Sequence, residues 1–107
     1  MDKRQSPRKE LRIKAIMTVN GGMPMTVRTM DVGKYGMCLV GVLKQLAVGQ
    51  EVHVTFDMPF GGKIHNVAVS AKVSHCMDTK HEGFKAGLQF VNLDSEGVAL
   101  LAQYIGQ

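Results

Sequence analysis

Two short groups of residues in this 107-residue chain have types and spacings that point to chemistry. The first is Arg8-Lys9-Glu10-Leu11-Arg12, two guanidinium groups four positions apart. The second is Asp31-Val32-Gly33-Lys34-Tyr35-Gly36, a carboxylate followed by two glycines. A guanidinium presents rigidly forked N–H donors that bond bidentately to anions, and its flat face stacks on planar groups. Arg4-Gln5-Ser6-Pro7-Arg8 repeats the spacing, so the pair is either Arg4 with Arg8 or Arg8 with Arg12. The second register is favoured because Arg12 abuts the first alternating segment. Arg4, Lys9 and Lys34 add positive charge to these groups.

The charge distribution supports an anionic target. The formal net charge is +4, and residues 1–14 carry all of it. The remainder of the chain is neutral, so the high isoelectric point belongs to the amino terminus. A basic arm on a neutral body suits an anionic partner.

Other chemistries are poorly supported. His53, His65, His75 and His81 lie in strands or turns without paired carboxylates at a telling spacing. His75, Cys76 and His81 are too few for a structural metal site, which needs four ligands. No nucleophile motif occurs, and Gly33 and Gly36 open no helix, so a phosphate-binding glycine loop is absent. The chain therefore reads as a non-enzyme without a cofactor. With no Trp and 6% aromatics, it lacks the stacking platform of a nucleic-acid-polymer binder. No apolar run nears the ~18 residues of a membrane span. Cys38 and Cys76 fit reduced, packed thiols, and no secretory segment leads the chain, so a cytoplasmic location is expected. A monomer or weak dimer is expected.

The elements that must position the two motifs follow from periodicity. Residues 1–10 read as a flexible basic arm, and residues 11–107 as one domain. Leu11, Ile13, Ala15, Met17 and Val19 alternate with outward positions, which predicts a half-buried strand. Asn20-Gly21-Gly22 predicts a turn, residues 25–31 the returning strand, and Asp31–Gly36 a loop. Met37–Leu43 reads as a buried strand. Val52, Val54, Phe56 and Met58 alternate, then Gly61-Gly62 turns the chain. Val67, Val69, Ala71, Val73 and Met77 are assigned to one face of a long strand, and Phe84 to Phe90 alternate again. Asp94 or Ser95 caps a helix over about 94–106, with Val98, Leu101, Tyr104 and Ile105 as its apolar stripe. Short antiparallel strands followed by one helix predict a mainly β fold, a small six- to seven-stranded barrel with a carboxy-terminal α-helix.

The order and strand context of the two motifs resemble the PilZ family, bacterial receptor domains for cyclic di-GMP. That family carries R-x-x-x-R ahead of the first barrel strand and [DN]-x-S-x-x-G between the next two strands. Gly87-Leu88-Gln89-Phe90 is similar to its late G-x-x-F segment, and the resemblance spans nearly the whole chain. It implies that Arg8 and Arg12 are the arginine pair and that Asp31 and Gly36 belong to the second motif. Arginine forks suit both the phosphates and the guanine O6 and N7 acceptors, and Asp31 suits the guanine N1 and N2 donors. Gly33 and Gly36 would permit unusual backbone dihedrals and close approach of main-chain N–H groups. The resemblance also implies an arm that orders over the ligand and an effector protein as downstream partner. Gly33 replaces the family's serine, and loss of one hydrogen bond to a charged group is worth about 1.5–3 kcal/mol. The alternative reading is a degenerate interaction module that binds the nucleotide weakly or not at all.

Overall fold

A computed structural model of the chain describes residues 7–106. Alternation decides which face each strand buries. In β5 (Glu51–Phe60), Val52, Val54, Phe56 and Met58 are buried while His53, Thr55 and Asp57 are exposed. In β2 (Lys14–Val19), Ala15, Met17 and Val19 point inward in the same way. The other strands are β1 (Arg8–Glu10), β3 (Pro24–Gly33), β4 (Gly36–Val42), β6 (Lys63–Asp78) and β7 (Phe84–Asn92), followed by α1 (Ser95–Ile105).

All pairings are antiparallel, in the order β3-β2-β5-β6-β7-β4, and β3 pairs back onto β4 to close a six-stranded barrel. Closure leaves these six strands without the unpaired edges of an open sheet. The tightest hairpin joins β5 to β6 through Gly61 and Gly62, whose φ values of 64° and 78° match the two positive-φ positions of a type I′ turn. Met17, Met37, Met58 and Leu39 are fully buried, so the methionines fill the core with adaptable side chains.

Three sequence expectations are corrected here. Arg8–Glu10, read as part of the arm, form a strand against Asp31–Gly33, because β3 runs past β2 and offers free backbone groups. For the same reason the loop expected over Asp31–Gly36 shrinks to Lys34 and Tyr35. Val98, assigned to the buried helix stripe, is 45% exposed, whereas Leu100, Leu101, Tyr104 and Ile105 pack on the core. Asp94 caps α1 by accepting a 2.7 Å hydrogen bond from the Gly97 amide.

The step from β1 to β2 is held by Thr29, the one buried polar side chain among the described residues. Its hydroxyl donates to the Leu11 carbonyl and accepts a 2.9 Å hydrogen bond from the Ile13 amide. Thr29→Val keeps the shape and strips both partners. Leaving such groups unpaired costs about 1–3 kcal/mol, so denaturant unfolding should show that loss. An unchanged midpoint would mean that the hydroxyl is dispensable.

Candidate functional site

The outer face of the barrel gathers Arg8, Arg12, Asp31 and Gly33, half of the sequence-predicted residues. Strand alternation alone puts Arg8, Glu10 and Arg12 on that face, opposite the inward Leu11. The four-residue spacing therefore aims both arginines outward from one extended segment. Asp31 joins them only because of a bulge. Val27 and Thr29 are buried, and simple alternation would bury Asp31 too. The register with β4 shifts between Thr29 and Asp31, which turns Asp31 outward beside Cys38 and Val32 inward.

A cross-strand row runs from Glu10 to Asp31, Cys38, Gly87 and His75 over β1, β3, β4, β7 and β6. His75 reaches the row through a second bulge. The β6–β7 register shifts between Val73 and His75, so Cys76 packs on the core while His75 and Met77 turn outward. This overturns the placing of Met77 on the buried face; it is 55% exposed.

Arg8 Nε lies 3.4 Å from Asp31 Oδ1, and both side chains are partly buried. That carboxylate oxygen is shielded from solvent and has no hydrogen-bond partner among the described residues. A buried acceptor left unpaired is unfavourable, so it favours an incoming N–H donor. Arg12 pairs instead with the Glu10 carboxylate on exposed surface. The Glu10 hydrogen bond, then its charge, raises the Arg12 pKa further, so the guanidinium stays charged. An exposed pair of this kind is worth at most about 1 kcal/mol, so a stronger anion can displace Glu10.

Between these groups the surface is poor in side chains. Gly33 lets the Arg8 stem lie flat: a Cβ there would sit 3.2 Å from Arg8 Cγ and 3.3 Å from the Pro7 carbonyl oxygen. Cys38 is buried on the outer face, outside the core cluster. Burial pushes its thiol pKa up, Asp31 adds to the rise, and Lys85 and Arg8 oppose it. The row thus has Lys85 and Arg8 as nearby cations. The His75 ring covers Gly87, where a Cβ would come within 2.6 Å of Nδ1. Gly33 beneath the Arg8 stem, Cys38, and Gly87 beneath the His75 ring together make a low floor, with arginines at one side and an imidazole lying over the other. A planar base fits such a floor, and phosphates fit the arginine side.

Other predicted residues fall elsewhere. Neither Gly33 nor Gly36 has a positive φ, so the unusual dihedrals expected for them are not found. Gly36 is buried between β4 and β7, where a Cβ would overlap the Leu88 carbonyl oxygen; it admits a neighbouring strand. Lys34 is exposed at the hairpin tip, 5.6 Å from the Tyr35 ring. Lys9 points the opposite way from Arg8, onto α1. Arg4 lies outside the described residues. Cys38, Lys85, His75 and the floor role of Gly87 were not marked as site residues by sequence reasoning. Only the extra residue in each bulge carries the signal, and alternation hides it.

A concavity of about 720 Å³ lies between α1 and the start of β6, lined by Ile64, His65, Leu93, Asp94 and Leu100. It contains none of the residues of the row. Its volume marks depth, whereas the row has the convergent charge that recognition of an anion needs. Among the described residues no three His, Cys, Asp or Glu side chains are grouped to hold a metal. Among them, too, no helix is long and apolar enough to cross a membrane.

Comparison with known proteins bears on this geometry. A family model described as PilZ domain matches residues 2–107. No curated protein sequence matches. Among solved structures, the chain is similar to the Bacillus subtilis inhibitor of motility (MotI/DgrA), with a TM-score of 0.83 and 17% identity. That match covers 98% of this chain and 50% of the other, so this chain spans half its length. The PilZ domain of Escherichia coli YcgR with c-di-GMP gives a TM-score of 0.72 at 13% identity, covering 98% of this chain and 90% of that one. The Borreliella burgdorferi PlzA protein in complex with c-di-GMP gives 0.70 at 14% identity, covering 97% and 41%.

Proposed function

The chain belongs to the PilZ domain family, and on that premise we propose that it is a non-enzymatic receptor for cyclic di-GMP. The reading is supported by Arg8 beside Asp31, with Arg12 held on the neighbouring Glu10, next to the side-chain-poor stretch of Gly33, Cys38 and Gly87. Arg8 and Arg12 bind the phosphates and stack on or bond to a guanine. Asp31 accepts from guanine N1 and N2, and the shielded Oδ1 gains the donor it lacks. The floor takes the base, and His75 bounds it at the far side. Lys34 and Arg4 add long-range attraction, and Gly36 keeps β4 and β7 close beneath the site. The segment ahead of Arg8 closes over the ligand, and the altered surface is read by an effector protein. Similar folds described with c-di-GMP support the ligand's identity.

Calorimetry with cyclic di-GMP tests this reading. The expected result is saturable binding that weakens with added salt, with linear GMP binding much less tightly. No heat up to about a millimolar ligand would overturn it.

Gly33→Ser probes the departure from the family motif. A serine Cβ displaces the Arg8 stem by a few tenths of an ångström, which a flexible side chain absorbs, and the chain at Pro7, whose carbonyl oxygen lies 3.3 Å away, must give slightly too. Its hydroxyl adds one bond to a charged group, worth about 1.5 kcal/mol or more, so affinity should rise at least tenfold. A loss of affinity would show that the packing of Arg8 on Gly33 is itself part of the site. Gly33 also favours the second reading, an interaction module. A wild-type chain that fails to bind while the serine variant binds would decide for it.

A further inference from the structure

Strand β1 has two working faces. Arg8 and Glu10 point outward, and Lys9 points to the end of α1. Lys9 Nζ donates a 3.0 Å hydrogen bond to the Tyr104 carbonyl and lies 4.4 Å from the centre of the Tyr104 ring. Tyr104 Oη donates a 2.8 Å hydrogen bond back to the Glu10 carbonyl. The last turn of α1 has no basic residue of its own, so Lys9 supplies the cation that a helix carboxy terminus favours. Phe60, at the β5–β6 turn, meets the Tyr104 ring edge-on at 6.3 Å and fixes it to the barrel. Burial, then the Glu10 charge, raises the Tyr104 hydroxyl pKa, which keeps it a donor at neutral pH. β1 is only three residues long and pairs with β3 alone, so these contacts are a large share of what holds it.

We propose that Lys9 and Tyr104 are positioning residues, which hold β1 so that Arg8 faces Asp31 and which couple the docking of α1 to occupancy of the outer-face site. The coupling rests on the cyclic di-GMP reading; the positioning does not. A strand fixed before binding loses less freedom on binding, so a docked helix strengthens ligand binding. Linkage makes the effect reciprocal: bound ligand must tighten α1 by the same factor. The helix end thereby becomes a surface whose order reports the ligand, on the opposite side of β1 from it.

The experiment compares the full chain with the variant carrying Lys9→Met and Tyr104→Phe, and with Lys9→Arg, which keeps a donor and a cation. Without ligand, the Leu11 amide, which bonds the Met30 carbonyl at 3.1 Å, should exchange with solvent about tenfold faster in the double variant. Lys9→Arg should restore the slow rate. Equal rates in all three proteins would overturn the positioning role, whether or not the nucleotide binds. With cyclic di-GMP, the double variant should bind about tenfold more weakly, and the wild-type amides of residues 100–105 should exchange more slowly. Wild-type binding with unchanged α1 exchange and equal affinity in the variant would overturn the coupling. Absence of wild-type binding would instead overturn the ligand assignment, leaving the Leu11 comparison to decide the rest.

Discussion

Gly36→Ala is expected to lower the melting temperature by about 15 °C, whereas Gly87→Ala should shift it by only a few degrees. Both glycines lie where β7 approaches a neighbour, and both lack room for a Cβ. What occupies the space differs. At Gly36 it is the Leu88 carbonyl oxygen, part of the backbone that closes the barrel. Relief requires β4 and β7 to separate, which disturbs the ladder from Gly36 to Leu39. Overpacking against rigid structure costs about 3 kcal/mol, and each kcal/mol moves the midpoint of a domain this size by about 5 °C. At Gly87 the obstacle is the His75 ring, which can rotate into solvent. Gly87→Ala should therefore stay folded and lose cyclic di-GMP affinity, since a methyl group now stands on the floor and the imidazole that bounds it has moved away. Thermal unfolding of both variants checks the contrast. Similar midpoints would show that the β4–β7 contact is softer than its geometry implies.

Arg8→Ala should weaken cyclic di-GMP binding about a hundredfold without unfolding the protein. The substitution removes two or more charge-assisted hydrogen bonds, each worth about 1.5–3 kcal/mol, partly offset by relaxation. It also leaves the shielded Asp31 oxygen without the cation 3.4 Å away. Arg12→Ala should cost less, about tenfold, because in the free protein Arg12 must first leave Glu10. Arg8→Lys should rescue little, since a point charge cannot replace a planar fork. Isothermal titration of the three variants measures the order. An Arg12→Ala loss larger than that of Arg8→Ala would reverse the assigned roles.

Much of this arrangement is legible in the sequence. Alternation from Leu11 to Val19 fixes the outward aim of Arg12, whereas that of Arg8 appears only once β1 is seen to pair with β3. The alternating runs of β5 and β7 and the Gly61-Gly62 turn identify a meander that closes on itself. The remainder depends on contacts distant in sequence. Asp31 and His75 face outward only because one extra residue in β3 and one in β6 reverse the pleat. No local pattern announces such a reversal. Lys9 looks like its arginine neighbours by charge, yet its partner is 95 positions away in α1. Gly36 looks like a loop glycine, and its constraint comes from Leu88 in a strand that arrives much later. The strand character of Arg8–Glu10 is hidden by charge, because charged residues on an outer edge incur little desolvation when they pair.

The most direct test is a proton–nitrogen correlation spectrum of the full chain titrated with cyclic di-GMP. Shifts should concentrate at Arg8, Asp31, Gly33, Cys38, Gly87 and His75 and saturate together, with smaller changes at Tyr104. Shifts clustered instead around Ile64, Leu93 and Leu100, or a spectrum unmoved by the nucleotide, would contradict the outer-face site.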